Sequence, residues 1–209
     1  MPVPVSDLQS VNPSSIIELF QLTLVSSLHA ELNNGTYEFP SSSDSGTYYF
    51  TGMSDAVTTG VNAYDKIHWG NPLKEYQRLP IQCSGFEYNG AGQLPRPKLV
   101  VSNLFSTFSE ILSLVNAVTP GNDLVGARVV RIRTLLKYLP NENFTGDNPY
   151  GTPDVTQEFP QESYIVARKS LEGREFCEFE LAAAIDMANT ALPKRQLLPS
   201  AFPGIGGFY

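Results

Sequence analysis

The stretch that decides the fold is IHWGNPLKEYQRLPIQCSGFEYNGAGQLPRPKLVVSN, which spans residues 67–103. It is punctuated by glycines, which favour turns, and by prolines, which exclude a helix. It carries no motif that binds phosphate, ligates a metal or activates a nucleophile. The stretch therefore predicts a scaffold of turns and short strands rather than a catalytic site. The residues that set this punctuation are Gly85, Gly90, Gly92, Pro80, Pro95 and Pro97.

Three segments within this stretch have the pattern of strands. Residues 67–69 and 74–80 are predicted to pair across the Gly-Asn-Pro turn at 70–72. Residues 96–102, RPKLVVS, place apolar side chains at alternate positions, as a strand with one buried face does. The stretch is therefore predicted to supply at least three strands and the turns between them.

An amphipathic helix and several further strands are predicted outside this stretch. Residues 104–118 place apolar side chains at helical spacing, with Ser102 or Asn103 as the N-cap and Pro120 and Gly121 as the stop signal. Residues 15–24 are ambiguous: their pattern favours a strand with a local irregularity, and a short helix is the alternative. The other predicted elements are a short strand at 47–52, a partly exposed strand within 123–139 and a hairpin at 162–186 that turns at 171–173.

Together these elements predict a β-dominated α+β fold, in the form of a bent antiparallel sheet or an open barrel with one packed amphipathic helix. Residues 1–14 are expected to be an N-terminal arm that orders only against a partner. Residues 15–198 are expected to form the β-rich domain, and residues 199–209 a C-terminal extension. The long, turn-rich loop at 140–156 is the best candidate for a seam, because such loops are usually functional or interfacial.

Composition narrows the class of protein. The chain has 209 residues, of which 42% are hydrophobic, so it can bury a core, and its formal net charge is −7. An acidic surface argues against specific nucleic-acid binding, which needs clustered Lys and Arg. No apolar run is long enough to span a bilayer, and the first residues lack the pattern of a secretory signal. We therefore expect assembly in a cytoplasm, without stable membrane insertion.

Candidate catalytic and metal-binding groups are few. The chain has two cysteines, Cys83 and Cys177, and two histidines, His29 and His68. A Cys83/His68 dyad can be written, but a buried thiol beside a half-exposed strand histidine explains the pair more simply. The cysteines and histidines lack the spacing of a zinc site. We therefore expect neither a catalytic site nor a metal site.

Charged and aromatic groups have two interpretations each. Alternating Glu178 and Glu180 could be an acid–base pair, but the solvated face of a strand is the simpler reading. Arg128, Arg131 and Arg133 could form a basic contact strip, but in an acidic chain an interface salt-bridge row or plain solvation is favoured. Aromatic side chains in or near loops suit either sugar stacking or an oligomer interface. They are Tyr37, Phe39, Tyr48, Tyr49 and Tyr150.

One ordered set of positions runs through the chain from the opening stretch to its C-terminal part. The positions are Trp69, Tyr76, Pro80-Ile81, Gly85-Phe86-Glu87, Asn89-Gly90, Gly92, Arg96-Pro97, Leu99, Val101-Ser102-Asn103, Leu124-Val125-Gly126, Val129-Val130-Arg131, Glu180-Leu181, Leu192-Pro193 and Arg195. Each piece of the pattern is common, but their order and spacing are specific. In this order they resemble the phage minor tail protein L family of lambda-like, long-tailed phages, and the likeness covers most of residues 15–200.

The resemblance implies a structural role and a fold of hub type. Members of this family form part of a threefold hub at the tip of the tail, between the tail tube and the host-recognising tip protein. The implied partners are further copies of the chain in a trimer, a ring protein on the tail-tube side, other tip proteins and the tape-measure protein. The implied location is the tail tip of the virion, after assembly in the host cytoplasm.

On this reading, nine residues are candidates for contact or scaffold roles. Trp69, Tyr76 and Phe86 are expected to be anchors in the core or at a contact, and none is expected to read a ligand. The others come from the matched segments, the long loop and the apolar C-terminus, and they are Arg96, Asn103, Tyr150, Phe202, Phe208 and Tyr209.

The chain departs from the family in one respect. Family members continue past the Leu-Pro-x-Arg segment into a cysteine-rich domain thought to hold an iron–sulfur cluster, whereas this sequence reaches Tyr209 without further cysteines. Either the lineage lost that domain or it lies beyond Tyr209. Such clusters need four ligands, which Cys83 and Cys177 cannot supply. We therefore expect no cofactor in this chain.

Two alternatives to the structural role are a carbohydrate-binding module that uses loop tyrosines and a hydrolase built on His68, Cys83 or paired glutamates.

Overall fold

The computed structural model describes residues 9–33, 36–38, 46–52, 66–87, 94–103, 107–144 and 146–186, together with Pro4 and Asp7. Strands dominate this part of the chain, as the sequence predicts. They are β1 (Ile16–Thr23), β2 (Glu31–Asn33), β3 (Thr36–Glu38), β4 (Thr47–Thr51), β5 (Lys66–Trp69), β6 (Lys74–Arg78), β7 (Ile81–Ser84), β8 (Lys98–Ser102), β9 (Arg128–Leu135), β10 (Glu162–Glu172) and β11 (Phe176–Ala182).

The described helices are short apart from one. They are α1 (Ser26–His29), α2 (Thr107–Val118) and 3₁₀ turns at Leu136–Tyr138, Asn141–Asn143 and Ala184–Asp186. The amphipathic helix predicted over 104–118 is α2, and residues 104–106 lie outside the described part. The predicted strand at 15–24 is β1, but it pairs with β9 through all eight residues without the expected irregularity. Its pattern breaks because Leu19 and Phe20 are buried on opposite faces of the strand.

Nine of the strands form one sheet in the order β5-β6-β4-β1-β9-β10-β11-β8-β7. All its pairs are antiparallel except β4 with β6. The predicted pairing of β5 with β6 and the predicted β10–β11 hairpin are confirmed. Strands β9 and β10, on either side of the 140–156 loop, are direct neighbours in this sheet.

The sheet must be strongly curled, because β6 and β7 are joined by only Leu79 and Pro80. In a flat sheet, seven strand spacings of about 4.8 Å would separate these strands by roughly 34 Å. The chain from Arg78 to Ile81 can span only about 11 Å. Hydrogen bonds close the gap: Leu79 N donates to Thr51 O at 3.0 Å, and Ser102 N donates to Pro80 O at 2.9 Å. The predicted bent sheet is therefore confirmed.

Apolar side chains form a separate cluster on each face of the curled sheet. The inner cluster lies on the concave face, where strands from both ends of the sheet meet helix α2. Its larger members are Phe20, Leu22, Phe50, Leu99, Val101, Phe108, Leu112, Val129, Tyr164, Val166, Phe179 and Leu181. The outer cluster lies on the other face, beneath the β5–β6 hairpin. Its members are Ile17, Leu19, Ile67, Trp69, Tyr76, Val130, Ile132, Leu136, Leu139 and Phe144.

Candidate interaction surfaces

Two of the sequence-predicted anchors, Trp69 and Tyr76, lie deep in the outer cluster. Their side chains are 2% and 1% exposed, because β5 and β6 turn these residues onto the outer face of β1 and β9. Tyr76 Oη accepts a hydrogen bond of 2.6 Å from Gln21 Nε2. Burial raises the pKa of Tyr76 to about 12, so its hydroxyl stays protonated at neutral pH. In the described part of the chain, both rings therefore serve as anchors of the core.

Phe86 lies at one end of the concave face, in an arginine–glutamate network. Arg131 and Arg133 follow Val129 at alternate positions of β9, so they share its face of the sheet. The Arg131 guanidinium lies 4.2 Å from the centre of the Phe86 ring and pairs with both Glu18 and Glu162. Although burial alone would lower it, the Glu18 and Glu162 carboxylates raise the pKa of Arg131. Arg131 therefore forms salt bridges as predicted, but these bridges lie within the chain, and a role at an interface stays a prediction.

The rest of this network lies on neighbouring side chains. Arg133 pairs with Glu162 at 2.8 Å, and Arg128 Nε donates to Ser163 Oγ at 2.9 Å. Sequence reasoning missed the acidic partners, because Glu18 and Glu162 lie far from the arginines along the chain and meet them only through strand register.

Arg96 and Asn103 contact other parts of their own chain. Arg96 is a surface residue whose guanidinium lies 2.8 Å from Asp186. Asn103 is buried, and its Oδ1 accepts from Ser109 N at 3.2 Å, in the first turn of α2. Its Nδ2 also donates to Gly173 O at 3.0 Å, so it ties the helix to the β10–β11 turn. Asn103 thus satisfies a helix N–H from further upstream than an ordinary N-cap residue.

Tyr150 is presented on a loop that amide side chains hold in place. Asn148 Nδ2 donates to Leu139 O at 2.8 Å and to Lys137 O at 3.0 Å, while its Oδ1 accepts from Tyr150 N at 2.8 Å. The Tyr150 side chain is 44% exposed, and its ring centre lies 5.9 Å from that of Phe144. The loop therefore holds an aromatic ring in a fixed place at the surface.

Asn143 fixes the same loop to the β5 strand. Its Oδ1 accepts from His68 N at 2.7 Å, and its Nδ2 donates to His68 O at 2.9 Å and to Pro140 O at 3.1 Å. It is 2% exposed. The sequence signals this role only by the density of asparagines in residues 141–148, which also suits an ordinary turn.

Other predicted positions lie at the ends of the chain. Phe202, Phe208 and Tyr209 fall outside the described residues. Asp7, in the predicted N-terminal arm, is described, and its carboxylate lies 3.2 Å from Lys137 Nζ. This contact is made within the chain, whereas composition led us to expect ordering against a partner.

At the β5–β6 turn, the outer cluster opens into a cleft of about 440 Å³. One wall is the β5–β6 turn at 70–72, and the other is the segment 155–161. Its floor includes Tyr49, Trp69 and Tyr76. Glu158 also lines the cleft, although only 5% of it is exposed. No pattern in the sequence singles out this glutamate, because charged residues in loops are ordinarily solvated.

The histidines and thiols each have different partners in the described part of the chain. His68 Nε2 lies 3.7 Å from Glu75 Oε1, while Cys83 packs against the inner cluster. Burial raises the pKa of Cys83 to about 12, with the Glu18 charge adding to the effect, and burial also raises the pKa of Cys177. His29 is buried, with Nδ1 accepting from Val25 N at 2.8 Å and Nε2 placed 2.9 Å from Asn122 Oδ1.

The acidic side chains proposed as alternatives are also engaged. Glu178 pairs with Lys98 and Glu180 with Arg168, as a solvated strand face would. In the part of the chain that the structure describes, no group of His, Cys, Asp and Glu could hold a metal ion. No described helix has the length and apolar character to cross a membrane.

Comparison with known proteins gives two findings. The family described as phage minor tail protein L matches residues 42–204, most of the chain. A segment of 81 residues is 38% identical to the tail tip protein L of Escherichia phage lambda, and it covers 39% of this chain. The match spans 32% of that relative, about a third of its length.

Proposed function

The chain belongs to the phage minor tail protein L family and is therefore a structural protein of a bacteriophage tail, and on that premise we propose that it forms part of the hub ring at the tail tip. In this proposal the ring lies between the tail tube and the host-recognising tip protein, and tails do not assemble without it. The observation that carries the proposal is the family match over residues 42–204, which includes most of the curled sheet.

The surface of the described chain fits a subunit with neighbours. Several large apolar side chains are at least 38% exposed, and Leu171 and Phe176 both lie at the end of the β10–β11 hairpin. Beyond Val166, strand β10 extends past its pairing with β9, while β11 stays paired with β8 up to Phe176. Exposed apolar groups at such an edge suit burial against another subunit. We propose three copies in a ring, with a tube-side ring protein, other tip proteins and the tape-measure protein as partners.

The geometry gives a sugar-binding role little support. Tyr48 and Tyr49 are adjacent in β4, so their rings lie on opposite faces of the strand. Tyr48 packs against the inner cluster and Tyr49 against the outer cluster. A stacking platform needs rings that share one exposed surface, which these two do not.

The proposal also assigns neither catalysis nor an iron–sulfur cluster to these 209 residues. A cluster with cysteine ligands needs four thiolates. The sequence supplies two cysteines, and burial raises the pKa of both thiols. The residues present do not fit the group.

Electron cryomicroscopy of the intact phage tail tests this placement. The expected result is density for this chain at the tip, in three copies around the tail axis, with the β10–β11 hairpin in a subunit contact. Density along the tube, or a ring of another symmetry, would contradict it. Deleting the gene should abolish complete tails, and supplying the chain from a plasmid should restore them.

A further inference from the structure

The cleft beside the outer cluster is lined by a largely buried carboxylate that has one hydrogen-bond partner in the described chain. Glu158 is 5% exposed, and its one hydrogen bond within the described chain comes from the neutral amide of Gln161, at 3.0 Å. Buried carboxylates normally pair with a cation or accept several hydrogen bonds, because burial removes the water that would otherwise stabilise the charge. Glu158 therefore has capacity for a positively charged partner that enters through the cleft.

The other walls of the cleft also suit a cation. Tyr49 and Tyr76 pack edge to face, with ring centres 5.2 Å apart. Lys74 Nζ already lies 5.6 Å from the centre of the Tyr49 ring, so this aromatic surface accepts a positive charge. Gln21, also in the lining, uses its amide nitrogen on Tyr76 Oη, which leaves its carbonyl oxygen as an acceptor.

We propose that this cleft receives the guanidinium group of an arginine presented by a neighbouring tail protein. Arginine fits better than lysine, because its planar fork can bond a carboxylate through two N–H groups and stack on an aromatic ring. The net charge of −7 favours a basic partner segment over a second copy of this chain. The identity of the partner as a tail protein rests on the proposed function, whereas the guanidinium site does not.

A sugar is a poorer occupant of the same space. Sugar stacking requires an accessible ring face, and Trp69 and Tyr76 are 2% and 1% exposed. Their rings are largely covered by packing in the outer cluster. The cleft therefore offers charge and hydrogen-bond acceptors rather than an aromatic platform.

Binding can be tested with the purified chain and N-acetylarginine amide as the probe. Trp69 is the single tryptophan and lines the cleft, so its emission reports occupancy, and calorimetry gives the dissociation constant independently. We expect saturable binding in the millimolar range, as suits a fragment of an interface. N-acetylcitrulline amide, which has nearly the same shape but no charge, is expected to bind at least tenfold more weakly.

Two variants separate the site from general charge effects. Glu158→Gln should weaken binding of the probe at least tenfold, while Glu142→Gln, which removes an equal charge from an exposed position, should leave it unchanged. Lys74→Gln should strengthen binding of the arginine probe, because it removes a positive charge from the lining of the cleft. Equal binding of the citrulline probe, or unchanged binding by Glu158→Gln, would overturn the proposal. So would preferential binding of N-acetylglutamate amide that is lost in Lys74→Gln.

The same variants can be followed in the phage. Supplied to a phage that lacks the gene, Glu158→Gln should yield at least tenfold fewer complete tails than Glu142→Gln, with both chains folded by circular dichroism. Equal yields would contradict the partner contact. If reconstruction places the chain away from the tip, the proposed function fails, while the binding result with the arginine probe still decides the site.

Discussion

The two faces of the curled sheet solve the burial problem in different ways. The inner cluster is almost wholly apolar and is covered by α2, which adds Phe108, Ile111, Leu112 and Val115 to side chains from the strands. The outer cluster is covered by a short hairpin and a loop, and Asn143 fixes that loop through three hydrogen bonds. The inner face is thus closed mainly by hydrophobic packing, with the Arg131–Glu162 network at one end. The outer face depends more on the hydrogen bonds of Asn143, and it opens into a cleft.

This difference indicates where stability and binding reside. Hydrophobic packing on the concave face can hold the fold without a precise polar partner. Because this packing is dense, it tolerates little loss of volume. The outer face keeps a buried carboxylate and an exposed tyrosine in fixed positions, which stabilises the isolated chain little. Substitutions on the two faces should therefore differ in both size and kind of effect.

The largest expected effect comes from the inner cluster. Phe179 is 1% exposed, and its ring centre lies 5.9 Å from that of Phe108. Phe179→Ala should lower the free energy of unfolding by about 3–5 kcal/mol, because it removes buried apolar surface and leaves a cavity. Urea denaturation followed by circular dichroism measures this loss.

Phe176→Ala is the matched control on the same strand. Phe176 is 40% exposed, so its truncation should change the free energy of unfolding by less than about 0.5 kcal/mol. Losses of similar size in the two variants would show that the inner cluster is not the main source of stability.

The second prediction concerns the hydrogen bonds by which Asn143 holds the loop of the outer face to β5. Asn143→Ala leaves His68 N and His68 O without their side-chain partner, and each orphaned buried group costs about 1–3 kcal/mol. We expect a loss of about 2–3 kcal/mol and a red shift of Trp69 emission, since Trp69 follows His68 in β5. Glu142→Ala, at the adjacent exposed position, should change neither quantity. A normal Trp69 emission spectrum in Asn143→Ala would rule out that Asn143 holds the loop to β5.

These two faces also explain what the sequence could predict. Helix α2 and strands β5, β6, β8 and β9 follow from apolar periodicity, because burial on one face imposes a period on the sequence. Strand β1 looked irregular because it is central, so the adjacent residues Leu19 and Phe20 are both buried. Asn143 and Glu158 could not be predicted, because their importance comes from contacts that only the tertiary fold creates.

The third prediction concerns pH and the rim of the inner cluster. Burial lowers the pKa of His29 below its usual value of about 6.5, so the unfolded chain takes up a proton more readily than the folded chain. The contribution of His29 to stability should be complete above about pH 7. This contribution should decline as the pH falls through the pKa that His29 has in the unfolded chain.

Urea midpoints at pH 7.5 and pH 5.5 test this sign. The wild-type midpoint should be lower at pH 5.5. His29→Gln should be less stable at pH 7.5, because it loses the hydrogen bonds of the imidazole to Val25 N and Asn122 Oδ1. Its urea midpoint should change less between the two pH values than that of the wild type. An unchanged pH response in the variant would assign the effect to other groups.

The last prediction concerns Tyr150, where a small effect on stability is expected together with the clearest separation of the two faces. Its ring is 44% exposed and packs only partly on Phe144, so Tyr150→Ala should lower the free energy of unfolding by less than about 1 kcal/mol. Asn148 fixes the backbone at Tyr150, and the ring lies against Phe144 at the surface. Aromatic anchors on such a fixed loop carry much of the energy of an interface. In a phage that lacks the gene, Tyr150→Ala should therefore yield fewer complete tails despite near-normal folding, whereas Tyr150→Phe, which keeps the ring, should assemble. Equal tail yields from Tyr150→Ala and the wild-type chain would remove Tyr150 from the contact surface and leave the cleft as the functional feature of the outer face.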